Sequence, residues 1–395
     1  MSADNLLPAK RQRVENAPTT RSEIWMDDGN VVVQAKKILF RVHWSVLAMH
    51  SSVFHALRDL PQPTDQPTVE ECPVVELADD PDDVHCLLQA LYKPTFLAQD
   101  KISFSALSAL LRMGRKYDLP DLSDSAVKRL TSIFPSTFED FETEPGYRTI
   151  EHQSGIEFDI IELAREYNIM TILPAVFYCI VRPQFVLPKL CQGEERPNGT
   201  IAQLSRQELT RCVVAREKLL GEQFRQGRTF GWVRKWPYPN CSAGSTCHKY
   251  RSLLQSSFMD LAYIGAFAQP RDIAEFEFCT TCLGHIEESM AAGRKMMWEM
   301  LPGFFDLAGW DELKNDTNQM PVVFATILIE SVAFPISCQI PIQETIMIIL
   351  ATSIAFQTLQ ALVYLHDPAR NIAHRDIKPS NILLETDGRV VIIDF

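Results

Sequence analysis

Four cysteines and two histidines have types and spacing that could do chemistry: Cys241-x5-Cys247-His248, then Cys279-x2-Cys282 and His285. Two thiolates on one tight turn can share a tetrahedral metal ion, and Cys-x2-Cys is a familiar half of a zinc site. The first pair is spaced more loosely than the usual half-site. Cys241, Cys247, Cys279 and Cys282 therefore read as ligands of a structural zinc. The opposing reading, four separate small apolar side chains, stays open, because free cysteine is often simply buried. Nothing beside the cysteines has the pattern of a base that would activate a metal-bound water, so no open catalytic site is expected. His43, His50 and His55 have no accompanying cysteine or carboxylate pattern and read as structural histidines at a helix start.

A second constellation closes the chain. Ile372-Ala373-His374-Arg375-Asp376-Ile377-Lys378-Pro379-Ser380-Asn381-Ile382-Leu383-Leu384 resembles the catalytic loop of protein kinases. Ile392-Ile393-Asp394-Phe395 resembles the start of that family's metal-binding Asp-Phe-Gly motif. The resemblance implies that Asp376 accepts the proton of a substrate hydroxyl and Lys378 neutralises the transferring phosphate. Asn381 and Asp394 would hold the metal of Mg-ATP. Such catalysis is almost wholly positioning and electrostatics, so missing parts are fatal. No Gly-x-Gly-x-x-Gly lies upstream, and no Val-Ala-x-Lys strand supplies the nucleotide lysine. The sequence stops at Phe395, before the glycine and the activation loop. The expectation is an inactive serine/threonine kinase remnant, from a truncated product or a misjoined gene, with Mg-ATP a cofactor only where the kinase domain is complete. A piece this short cannot bury a core of its own.

Other elements must position these residues. Phe356, Leu359, Ala361, Leu362, Tyr364 and Leu365 look like the buried helix that leads into the kinase-like loop. The uncharged window Thr345–Leu365 raises the question of a membrane span. Gln357, Gln360 and the absence of any basic flank before Arg370 argue against one. Further upstream, Arg294, Trp298, Leu301, Pro302, Phe304, Phe305 and Trp310 read as the core of a helical region. Candidate helices begin at Ile160-Ile161 and include Phe177-Tyr178-Cys179-Ile180, with Pro197-Asn198-Gly199 as loop punctuation.

The N-terminal third is denser in signals. Val31-Val32-Val33 and Ile38-Leu39-Phe40 flank Gln34-Ala35-Lys36-Lys37 and read as a hairpin, and Val74, Val75 and Leu77 mark another strand. Asp80-Pro81-Asp82-Asp83 is a helix start, with Asp80 as cap, Pro81 where no N–H is needed, and acids facing the dipole. Val84, Leu87, Leu88 and Leu91 then give one apolar face, and Phe104, Leu107, Leu110 and Leu111 another. Strands followed by short helices in so short a span imply an α+β domain. Phe40-Arg41-Val42-His43-Trp44-Ser45-Val46-Leu47, with His50-Ser51-Ser52-Val53-Phe54, resembles the start of a BTB/POZ domain of the fungal type. Gly114-Arg115-Lys116-Tyr117-Asp118-Leu119-Pro120-Asp121-Leu122 resembles the segment between that family's later helices. The resemblance implies homodimerisation, and in some relatives adaptor work for a cullin-type ubiquitin ligase or a transcription-related scaffold.

The resulting plan is a disordered basic tail (1–21), a BTB/POZ domain (22–135), a helical extension (136–315), a poorly defined junction (316–345) and an incomplete kinase fragment (346–395). The 395 residues carry 38 basic and 50 acidic side chains, net −12, which argues against nucleic-acid and anionic-membrane surfaces. With 46 % hydrophobic and 22 % charged residues the chain is neither wholly disordered nor fibrous. Ten cysteines without a secretory signal fit a reducing, intracellular setting. The run Lys10-Arg11-Gln12-Arg13 leaves nuclear and cytoplasmic residence both open.

Overall fold

The structure, a computed structural model, describes residues 19–59, 67–143, 146–183, 186–234, 238–260, 264–273, 276–315, 382–384 and 390–392. The chain divides into two compact units, Met1–His85 with Met320–Phe395, and Cys86–Gln319.

The first unit is built on a sheet. Val31–Ala35 (β2) and Ile38–Val42 (β3) form the expected antiparallel hairpin, with Ala35 opposite Ile38. The turn is tighter than the sequence suggested: Gln34 and Ala35 belong to the strand, and Lys36, at φ +51°, turns the chain together with Lys37. Thr20–Trp25 (β1) lies parallel to β3, and Cys72–Leu77 (β5) lies parallel to β2. Thr68–Val69 (β4) completes the order β1-β3-β2-β5-β4. Val31, Val32, Val33 and Ala35 are all buried, as a central strand with covered faces requires. β1 begins at Thr20, so Thr20 and Arg21 are strand rather than the end of a disordered tail. Arg21 and Arg41 both pair with Glu70, which ties β1 and β3 to the β4–β5 turn.

Trp44–His50 (α1) and Ser52–Asp59 (α2) follow the hairpin and bury Leu47 and Phe54. His43 starts α1 with Nε2 3.1 Å from Asp28 Oδ1, while His50 and His55 are exposed. Pro81–Tyr92 (α3) begins as expected: the Asp80 carboxylate accepts the Asp82 N–H at 3.1 Å and takes Lys36 Nζ at 2.6 Å. Val84, Leu87 and Leu88 are buried.

The second unit is helical. Pro94–Leu97 (α4) leads to Phe104–Lys116 (α5), whose cap Ser103 accepts the Ala106 N–H at 3.2 Å, and to Pro120–Ile133 (α6). The α5 end is a Schellman closure. Asp118 takes φ +53°, and its successor's N–H reaches back from Leu119 to the Gly114 carbonyl at 2.7 Å. A Cβ at Gly114 would stand 2.8 Å from the Ser123 nitrogen, so glycine lets α5 and α6 approach.

Phe138–Thr143 (α7) precedes Ile156–Glu166 (α8), which ends in the same way: Asn168 has φ +52°, and Ile169 N–H donates to the Ala164 carbonyl at 2.8 Å. Leu173–Val181 (α9) is almost entirely buried, and Val186–Gln192 (α10) follows. Two short strands, Glu194–Glu195 (β6) and Ile201–Ala202 (β7), flank the expected Pro197-Asn198-Gly199 loop. Arg206–Glu222 (α11), Gly244–Asp260 (α12), Thr280–Glu299 (α13) and Leu301–Phe304 (α14) complete the unit.

The aromatic stretch is core, as expected. Trp298 meets Phe141 at 4.8 Å and stacks on Trp310 at 4.9 Å, and Phe305 stacks on Phe177 at 5.2 Å. Among the described residues no single helix is long and apolar enough to cross a membrane. The one bent pair that could by length, over α9 and α10, lies largely in this core. The window Thr345–Leu365 and the basic run Lys10–Arg13 lie outside the described residues. Near the C-terminus Ile382–Leu384 (β8) and Val390–Ile392 (β9) form an antiparallel hairpin, with Leu383 opposite Val391.

Candidate functional site

Helix starts position the four cysteines. Cys247 lies in the first turn of α12, Cys279 caps α13 and Cys282 sits in its first turn, while Cys241 precedes α12. Both helices thus direct the positive ends of their dipoles toward the sulfurs, an arrangement that favours thiolates. The four Sγ atoms lie within 4.8 Å of one another, and those of Cys279 and Cys241 are 3.9 Å apart. No disulfide joins them. The Cys279 N–H donates to Cys247 Sγ at 3.2 Å.

Ionisation differs around the cluster. Backbone N–H donation from Cys282 holds the Cys279 thiol down to about 5 against the opposing effect of burial, and Ser242 adds hydrogen bonds through its hydroxyl and N–H. Burial raises Cys247 and Cys282, and neighbouring sulfurs reinforce the rise at Cys282. Ser242 was not singled out from sequence, and its one signal is adjacency to Cys241. Cys247 and Cys282 are buried; Cys241 and Cys279 are half-buried. His285 does not join the sulfurs but stacks on Tyr238 at 4.9 Å. The cluster is rooted in an apolar core of Phe230, Trp232, Leu254, Ile273, Phe278 and Met290. It is the one metal-ligating group of this kind among the described residues.

Asp376, Lys378, Asn381 and Asp394 lie outside the described residues. What is described is the β8–β9 hairpin between the latter two: Asn381 immediately precedes β8 in sequence, and Asp394 follows β9 by two residues.

The first unit has a feature of another kind. On α1, Leu47 and Ala48 are buried, but Met49 is 71 % exposed beside half-buried Val46. Its flexible thioether is the kind of side chain that can repack against an apolar surface.

Comparison with protein families matches residues 25–133 to the BTB/POZ domain. Residues 25–133 are a BTB/POZ domain. Its sheet, the α1–α2 pair and the α5–α6 pair are the elements described above, and the chain is therefore equipped with a protein-interaction module. Residues 315–395 match the protein kinase domain, beginning well upstream of 346. The chain is 62 % identical over 42 residues to the MAP kinase kinase skh1/pek1 of Schizosaccharomyces pombe, 11 % of each chain. It is 60 % identical over 42 residues to the dual specificity mitogen-activated protein kinase kinase 1 of Dictyostelium discoideum, covering 11 % of this chain and 6 % of that one. It is 45 % identical over 47 residues to the Aurora kinase of Candida albicans, covering 12 % and 8 %. The chain spans about a tenth or less of the length of these curated relatives. No solved structure matches it. The chain thus carries a BTB/POZ domain and a kinase-like C-terminal segment.

Proposed function

We propose that the protein is a non-enzymatic scaffold that homodimerises through its BTB/POZ domain and presents the helical region 136–315 to a protein partner. The observation that carries the dimer is Met49, 71 % exposed on α1 of a domain whose family pairs with its own kind. A cullin-type ubiquitin ligase or a transcription-related complex is the class of partner the BTB/POZ resemblance supports. The net charge of −12 favours protein over nucleic acid. Light scattering on the full chain at micromolar concentration tests the dimer. The expected mass is that of two chains, falling to one in Met49→Glu with an unchanged circular dichroism spectrum. A wild-type chain that is strictly monomeric sinks the reading.

A second reading, a serine/threonine kinase fused to a BTB/POZ domain, draws on the 62 % identity over 42 residues to a MAP kinase kinase and on the loop around Asp376. It would require Asp376 as base, Lys378 on the phosphate, and Asn381 and Asp394 on magnesium. Residues 1–370 contain neither a glycine-rich phosphate loop nor a Val-Ala-x-Lys strand, which favours an inactive segment. Phosphate transfer from Mg-ATP by the purified chain that disappears in Asp376→Asn would establish the kinase instead.

A further inference from the structure

We infer that Cys241, Cys247, Cys279 and Cys282 bind one zinc ion in a closed tetrathiolate site that pins the start of α12 to the start of α13. This goes beyond the scaffold reading and does not depend on it.

The sulfur spacing suits a tetrahedral ion. Sulfurs at about 2.3 Å from a central zinc stand about 3.8 Å from one another. Cys279 and Cys241 are 3.9 Å apart, and all four sulfurs fall within 4.8 Å. A disulfide needs about 2.05 Å, and no pair approaches that. Thiols that were merely small apolar side chains would have no reason to converge from four positions. Cys72, Cys86, Cys179, Cys191 and Cys212 do not join this or any other such group among the described residues.

The surroundings also suit a metal. The Cys279 N–H points at Cys247 Sγ, so the backbone donates to a sulfur that would carry charge. Two helix N-termini face the cluster and offset part of the negative charge of four thiolates. Four sulfur ligands leave no open position for a substrate or water, so the site is structural. Its role follows from its place in the chain. Cys247 and Cys279 are 32 residues apart in sequence, and the core of Phe230, Trp232, Leu254, Phe278 and Met290 is built from segments on both sides. One ion would close that span and bring its binding energy to the folded state.

Metal analysis of the purified full-length chain after gel filtration tests this. About one zinc per chain is expected, with loss of most of it in Cys282→Ser and no change in Cys191→Ser, an exposed cysteine elsewhere. Background zinc in the folded wild-type chain overturns the assignment, as does stoichiometric iron in its place. Because Cys282→Ser could fail to fold, Co²⁺ is added to the chelator-stripped wild-type chain as a second probe. Intense visible bands of tetrahedral cobalt with thiolate charge transfer, saturating at one equivalent and abolished by Zn²⁺, support the site. A weak octahedral spectrum overturns it.

Discussion

Arg129 on α6 satisfies four carbonyls with one guanidinium. Nη2 donates to Leu97 at 2.7 Å and Gln99 at 2.8 Å, and Nη1 donates to Thr149 at 3.1 Å and Asp100 at 3.2 Å. Burial lowers the pKa of this guanidinium, so the same hydrogen bonds that fix the loop also replace the water it gives up. Arg129→Ala should cost about 2–3 kcal/mol in urea unfolding. Arg129→Lys should recover only a minority of that, since an ammonium cannot span the fork. Glu208 does related work on α11, accepting from Arg165 Nε and Arg211 Nε, each at 2.9 Å. Gly114 contributes by what it lacks. Gly114→Ala should lose about 1–3 kcal/mol by forcing α5 off Ser123, measured by the same unfolding midpoint. The second Schellman closure places a buried Ala164 at the corresponding position.

Helix and strand signals were legible where their cause is local. Asp80 caps α3 and Ser103 caps α5 because a short side chain can reach an N–H two or three residues on, and sequence alone carries that geometry. Asp80→Ala should therefore destabilise by about 1 kcal/mol, whereas Asp80→Asn, which keeps the acceptor, should lose much less; thermal melts of the pair decide it. The β4–β5 turn was illegible for the opposite reason. Glu70 and Glu71 adopt φ +49° and +65°, a two-residue turn that usually asks for Asn-Gly, and nothing about Glu-Glu announces it. Glu70 holds Arg21 and Arg41 there, while Glu71 is exposed at φ +65°, so Glu71→Gly should raise stability by about 0.5–1 kcal/mol. Long-range facts were equally hidden. The Cys-x2-Cys spacing marks one half-site, but its approach to Cys241 and Cys247 is made by the packing of α12 and α13. The four carbonyls around Arg129 come from a loop and a distant segment that only the fold assembles.

Across the whole molecule, the two units rest on different resources. The sheet of the first draws on β2, covered on both sides, while in the second the four cysteine sulfurs converge at the edge of an apolar core. If zinc is the clip, a strong chelator should lower the thermal midpoint of the full chain and expose 223–290 to limited proteolysis, and readdition of Zn²⁺ should restore both. The kinase-like segment, read clearly from its motif, adds a hairpin whose flanking Asn381 and Asp394 are legible only as sequence.

The position of β1 has a practical meaning. The BTB/POZ match begins at residue 25, yet β1 runs from Thr20 and forms the outer edge of the sheet against β3. A shortened chain cut at that match would remove nearly the whole strand and strip the rim from β3, leaving a row of unpaired amide and carbonyl groups that any extended peptide can extend. Expression trimmed to residue 25 should thus yield sticky, polydisperse material, while a start at or before residue 19 should not. For this fold, where the family likeness starts and where the sheet starts are different places.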